Sequence, residues 1–273
     1  MAKLAANIVK GIVKRLGRTR TTGRYPRLPW LQEKLLKHQD DQAEKQISLH
    51  RLRLHYKRPY EVIHTYRELF ERELYAFPAT CEDPVIIDCG SNIGLSVLFF
   101  KSQYPGARVL AFEPDPSNFA LLEKNIAANG LQQVTAYRKA VWIRDGSIHF
   151  EASESEASHI REDGGSGTPV ACIRLATLLA GLERIDFLKM DIEGAESEVL
   201  EDCAGQLGRI GHLFIEYHGK AGETEKLSRM LQLFAGLGFR VYVKNAADSL
   251  PHPFLEKQTG TLYDVQLNLF CYR

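Results

Sequence analysis

At 273 residues, with 44% hydrophobic and 25% charged side chains, the chain is long enough for one large α/β domain plus an appendage and has ordinary globular composition. Its net charge of +1 hides an asymmetry: eight basic residues and no acid precede Glu33, which leaves 27 basic against 34 acidic residues, a net of −7, in the remainder. A mildly acidic body argues against nucleic acid as its partner, and no apolar run reaches the ~18–20 residues that span a bilayer.

The first segment, 1–32, is the basic head. Leu4, Ile8, Ile12 and Leu16 recur every four residues with Lys3, Lys10 and Lys14 between them, the pattern of a short amphipathic helix. Residues 1–27 are therefore expected either to rest on an anionic membrane surface or a partner, or to form a solvated terminus; both readings stay open. A transit peptide is weaker, because the head has little serine.

Residues 33–80 read as a helical extension. Pro59 starts or interrupts a helix, since it lacks the amide that a helix interior needs. After it Val62, Ile63, Tyr66, Leu69, Phe70 and Leu74 form one apolar face to be buried.

Residues 81–273 alternate strand with helix. Strands are expected at Val85–Asp88, Val109–Glu113, Val134–Lys139, Ile185–Met190, His212–Tyr217, Arg240–Val243 and Asp264–Tyr272. Helices are expected at Gly94–Gln103, Pro116–Ala128, from about Ala195, and at Glu223–Leu237. This order predicts a mostly parallel sheet covered on both faces, with an antiparallel pair at one edge because the last two strands are joined by a short link holding Pro251 and Pro253. Glu151–Thr168, rich in Ser, Glu and Gly, reads as a mobile loop. The five cysteines form no CxxC pair and several sit in apolar runs. They are expected to be reduced core thiols of a cytoplasmic protein.

The strongest local signal is Val85-Ile-Ile-Asp-Cys-Gly-Ser-Asn-Ile-Gly94. A buried strand enters a loop with Asp88, Gly90, Ser91, Asn92 and Gly94, then a helix. Gly90 permits a tight turn and close backbone approach, and amides at the helix start can hold a carboxylate. Glu113, 25 positions after Asp88 and followed by Pro114 and Asp115, closes the next strand. An acid there can accept both hydrogen bonds of a ribose diol. The glycine spacing is not G-x-G-x-x-G, and Asp88 would repel a pyrophosphate. The same acid favours the ammonium of S-adenosyl-L-methionine, which is the cofactor these residues point to. Adenine would lie on Ala140 and Val141. Two strand ends farther on gather ionisable groups: Lys189, Asp191 and Glu193, then Glu216 and His218. Residues two apart on a strand share a face, and packing alone does not explain so many charges. A buried ion pair, for instance Lys189 with Glu216, is the plainer alternative.

The blocks Asp-Cys-Gly-Ser-Asn-Ile-Gly (88–94), Phe-Glu-Pro-Asp-Pro (112–116), Lys-Met-Asp-Ile-Glu-Gly-Ala-Glu (189–196) and Ile-Glu-Tyr-His (215–218) resemble the FkbM family of methyltransferases over roughly 85–272. The resemblance implies a Rossmann-like, seven-stranded sheet with its last strand antiparallel. It also implies O-methylation of hydroxyls, often on sugars, glycans or natural products. Direct transfer from an activated sulfonium mainly requires alignment, helped by a base that takes the hydroxyl proton. His218, Asp191 and Glu216 are the candidate bases. Asp191 also borders the cofactor side, and no metal is assigned because Lys189 competes for the carboxylates. The segment Val62–Leu74 and the loop Glu151–Thr168 are expected to close over the acceptor. Two rival readings are an RNA methyltransferase gripping through the basic head and a non-catalytic cofactor-binding module.

Overall fold

The computed structural model describes residues 25–151, 159–161, 168–220, 222–247, 252, 254, 255 and 263–273. The amphipathic pattern in the head lies outside these residues.

The core is a seven-stranded sheet ordered β12-β13-β11-β10-β3-β4-β5. Its strands are β3 (Val85–Cys89), β4 (Arg108–Phe112), β5 (Val134–Tyr137), β10 (Ile185–Met190), β11 (Ile210–Gly219), β12 (Arg240–Ala247) and β13 (Val265–Tyr272). β3, β4, β5, β10 and β11 run parallel, while β13 pairs antiparallel with both β11 and β12. Helices cross between the parallel strands, as this pairing requires. The main ones are α3 (Leu95–Gln103), α4 (Pro116–Ala128), α6 (Glu196–Asp202) and α8 (Thr224–Gly236). Helix α4 shows why the sequence marked its start. Pro116 takes the first position, where no amide is needed, and the Asp115 carboxylate accepts from Ser117 N at 2.9 Å and Asn118 N at 2.8 Å. The central strands are apolar because helices cover both faces: Ile86, Ile87, Val109, Leu110, Leu188 and Ile215 are all buried.

The segment 33–80 departs from the all-helical expectation. Helix α1 (Trp30–Lys37) is followed by a hairpin, β1 (Lys45–Leu49) with β2 (Leu52–Tyr56), and only then by α2 (Pro59–Tyr66) and a π-helical turn, Arg67–Glu71. The missed signal is the alternation Ile47, Leu49, Leu54, Tyr56, all buried on one side of the hairpin. α4 holds the hairpin through two asparagines. Asn125 accepts from His55 N at 2.6 Å and donates to His55 O at 3.0 Å and Ile93 O at 2.8 Å, while Asn129 does the same for Arg53 N and O. Pro59 starts α2, and Val62, Ile63, Tyr66, Leu69 and Phe70 are buried as the periodicity required. Phe70 meets Phe99 of α3 edge-on at 5.5 Å, so the extension shares one core with the sheet.

A second departure lies after β5. A four-stranded sheet ordered β6-β9-β7-β8 comprises β6 (Ala140–Trp142), β7 (Gly146–Glu151), β8 (His159–Arg161) and β9 (Thr168–Arg174). The expectation of an uninterrupted loop over 151–168 is thus corrected, since β8 pairs with β7 inside it. The rest of that stretch, 152–158 and 162–167, lies outside the described residues. The sheet escaped sequence reading because its edge strands, β6 and β8, are only three residues long. Helices α5 (Leu175–Ala180) and α7 (Ala204–Leu207) complete the elements. All five thiols are unbridged, and Cys89, Cys172, Cys203 and Cys271 are buried. No described helix is long and apolar enough to cross a membrane.

Candidate functional site

A cavity of about 710 Å³ opens where β3, β4, β10 and β11 end. Its first wall is the loop after β3. Gly90 N and Ser91 N donate to Phe112 O at 3.0 and 2.9 Å, which folds the loop back over β4. Gly90 sits at φ +81°, and a Cβ there would stand 1.8 Å from Asp191 O. Only glycine satisfies both conditions. Gly94, at φ +89°, starts α3 against Leu122. Asn92 N and Asp115 N donate to the two oxygens of Glu113 at 2.8 and 2.9 Å. Glu113 is buried at the tip of β4, and burial pushes its carboxyl up to about 7 against these amide bonds, which favour the anion. Pro114, Ala140 and Val141 line the same end.

Asp88, expected to meet an ammonium directly or through water, stands back from the cavity. It is fully buried and does not border the cavity; Ser96 Oγ donates to Oδ2 at 2.5 Å, and Lys189 Nζ stands 3.6 Å from Oδ1. Oδ1 itself has no hydrogen-bond partner among the described residues. The reason is register: Asp88 lies opposite Lys189 in the ladder, and the loop from Gly90 covers it. Lys189 in turn donates to Gly90 O and reaches Asp191 Oδ2 at 3.1 Å. Burial opposes its charge, but Asp191 and Asp88 outweigh that and hold it well above the usual lysine range. The buried pair suggested between Lys189 and Glu216 is instead Lys189 with Asp191 and Asp88. This triad buttresses the loop, and Ser96 and Lys189 pass it on to the cavity wall.

The opposite end is organised around His218, near the end of β11. Its Nδ1 lies 3.1 Å from Glu196 Oε1, and its Nε2 faces Glu193 at 3.6 Å and Glu216 at 3.9 Å. Burial alone would lower the imidazole, but the Glu196, Glu193 and Asp191 carboxylates overcome it and push it up to about 10. These carboxylates thus favour the protonated imidazole at neutral pH, the form that holds a proton instead of accepting one. The carboxylates are raised as well, which in their case favours the neutral form. Burial first, then repulsion from Asp191, raises Glu193 to about 7 and Glu216 to about 8. These two are the groups tuned to take a proton near neutrality. Asp191, Glu193 and His218 also bring one donor atom each within 4.8 Å of one another, a geometry that could hold a divalent cation only with the imidazole neutral. Lys189 supplies positive charge at the Asp191 edge of that set.

Two residues that sequence reading passed over complete the cluster. Glu196 is almost fully buried and accepts from Ile192 N and Gly194 N, each at 3.1 Å, besides facing His218. It fixes the loop in which Glu193 and Gly194 take φ +57° and +96°. Its signal was present as the last acid of the 189–196 block. Tyr263 donates to Glu193 O at 2.5 Å and lays its ring 4.9 Å from the His218 ring. No local pattern marks it, because it arrives from the far end of the chain. The polar side of α2, with Tyr60 and His64, and Glu68 of the π-helical turn after it form the remaining wall, together with Ala246 and Gln266. The other segment expected over the acceptor, 151–168, does not border the cavity among the described residues.

A five-strand parallel sheet flanked by a reversed strand, with a glycine loop and an acid at adjoining tips, defines a Rossmann-like methyltransferase fold. The Methyltransferase FkbM domain matches residues 88–241, and the chain belongs to that family. It is 31% identical over 172 residues to methyltransferase sdnD of Sordaria araneosa, covering 50% of this chain and 66% of that protein. Identity is 30% over 156 residues to 2-O-methyltransferase NoeI of Sinorhizobium fredii, covering 50% and 63%. It is 28% over 217 residues to 31-O-demethyl-FK506 methyltransferase FkbM of Streptomyces tacrolimicus, covering 64% and 81%. The chain thus spans about two thirds of the length of the first two. The crystal structure of methyltransferase FkbM from Methylobacillus flagellatus overlays with a TM-score of 0.46 at 16% identity, covering 71% of this chain and 45% of that one.

Proposed function

We propose that the protein transfers a methyl group from S-adenosyl-L-methionine to a hydroxyl oxygen of a sugar, glycan or natural-product acceptor. The observation that carries this reading is one cavity with a ribose-type acid, Glu113, at one end and proton-accepting carboxylates beside a protonated His218 at the other. The relatives named for O-methyl transfer, including the 2-O- and 31-O-methyltransferases, support the acceptor class.

The residues present fit the donor. Glu113 retains a lone pair on each oxygen for the ribose diol, and Ala140 and Val141 offer an apolar floor to adenine. Asp191, which borders the cavity, is the acid available to the ammonium, while Asp88 acts behind it through Lys189 and Ser96. When bound, the donor supplies a methyl already activated on a positively charged sulfur. The protein's own task is to orient the acceptor oxygen and take its proton. Glu216 Oε1 or Glu193 Oε2 accepts that proton, and His218, held by Glu196, keeps positive charge beside the new oxygen–methyl bond.

Two measurements test this. Titration calorimetry should show binding of S-adenosyl-L-methionine and none of a nicotinamide dinucleotide. Incubation with methyl-labelled donor and a cell extract should label a glycan or small-molecule fraction at an alkali-stable ether. A protein that ignores the donor, or that labels only RNA, overturns the reading.

A further inference from the structure

Helix α1 presents a surface of unusual composition. At 100° per residue, Trp30, Lys34 and Lys37 fall along one side and Leu31 and Leu35 beside them. Trp30, Leu31 and Leu35 are 72, 69 and 54% exposed. Lys34 Nζ lies 5.3 Å from the Trp30 ring. The opposite side is anchored: Leu36 is fully buried in the cluster that contains Val62 and Tyr66. The helix has one acid, Glu33, and it is engaged with Arg67 at 2.8 Å and Lys37 at 2.5 Å. The exposed arc therefore holds three large apolar side chains and Lys34, with Lys37 at its edge paired to Glu33. The chain preceding it adds eight basic residues and no acid up to Arg27.

We propose that this arc seats the protein on an anionic lipid surface. Tryptophan with leucine beside lysine is the chemistry of a membrane interface: the rings and branched chains enter the acyl boundary while lysine stems lie along it and their ammonium groups meet the headgroups. Eight residues bury too little apolar surface to hold a protein alone, so a second signal is needed. The basic stretch immediately upstream is such a signal, acting through the negative surface potential of anionic lipid. Eight basic residues without an acid, running straight into exposed Trp30, Leu31 and Leu35, carry the paired charge and apolar complement of anionic lipid, and a second copy of this chain is an outcome the test separates. Helix α1 packs through Leu36 in the same buried cluster as Val62 and Tyr66 of α2, and the polar side of α2 borders the cavity. The inference does not depend on the donor or the reaction.

The test uses the full chain with vesicles of phosphatidylcholine, with and without phosphatidylserine. The protein should co-sediment with the anionic vesicles only, and release as salt rises. Trp30 fluorescence should shift to the blue and be quenched by brominated lipid, against a constant signal from Trp142, which is buried. The variant Trp30→Ser, Leu31→Ser, Leu35→Ser should partition roughly tenfold less with an unchanged melting temperature; Lys34→Glu should weaken binding in the same sense. Absence of sedimentation, or sedimentation untouched by the triple variant with Trp30 unquenched, overturns the proposal. So does a triple variant that changes oligomeric mass or exposes residues 1–24 to protease, because the arc would then be covered by another copy or by the chain's own N-terminal segment.

Discussion

Glu196 is the residue on which most of the acceptor end depends. It faces His218 and caps Ile192 and Gly194, so it fixes both the imidazole's charge and the loop that carries Glu193. Replacing it, Glu196→Gln, keeps the shape but removes the charge that holds His218 protonated. The imidazole should fall toward its ordinary value, visible by proton NMR, and kcat should drop at least about tenfold with donor affinity little changed. The pH profile gives a second test. Glu216 is raised to about 8 and must be ionised to take a proton, so the rate should rise with pH through 7–8. It should fall again as His218 loses its proton near 10, and Glu196→Gln should move that upper limb downward. A profile flat from pH 6 to 9 would remove the carboxylate base. At the other end Glu113→Ala deletes two bonds to a charged acceptor, about 1.5–3 kcal/mol each. Donor affinity measured by calorimetry should fall at least about a hundredfold.

At the scale of elements, the asparagines of α4 do what a neighbouring strand does elsewhere. Asn125 is buried and meets both backbone groups of His55 besides the carbonyl of Ile93. Asn125→Leu takes the side-chain partner from the buried carbonyl of Ile93 and from the two half-buried backbone groups of His55. Stability should fall by about 2–4 kcal/mol, read from the urea midpoint at constant slope. Because Ile93 belongs to the donor loop, the same variant should also weaken donor binding. The elements legible beforehand were those whose apolar period spans several turns or a whole buried strand, such as α4 and β3. The β1–β2 hairpin and the β6–β9 sheet were missed because each strand is three to seven residues long. The hairpin's alternation was there to be read across its short turn, whereas in the second sheet Ala140 of β6 and Gly146 of β7 both pair with the distant Cys172 of β9, so pairing rather than propensity decides that sheet.

For the molecule as a whole, the aromatic cluster joins the N-terminal segment to the sheet. Phe99 is fully buried and meets Tyr25, Phe70 and Tyr75. Phe99→Ala should destabilise by about 3–5 kcal/mol. Unfolding followed by circular dichroism and by Trp142 fluorescence should remain a single coincident transition, since extension and sheet share this core. Two separated transitions would show that the extension folds on its own.

The sequence by itself determined the sheet, the strand tips that carry chemistry and the family, because glycine at a forced turn and an acid closing a buried strand are local necessities. Gly90, Glu113 and the 189–196 block each stand where chain order alone puts them. Tertiary structure decided how those groups share charge. It set Lys189 against Asp88 and Asp191, made His218 a cation through Glu196, and brought Tyr263 to Glu193 from seventy residues away. Protonation states follow from distance and burial, and neither is fixed until strands distant in the chain lie side by side.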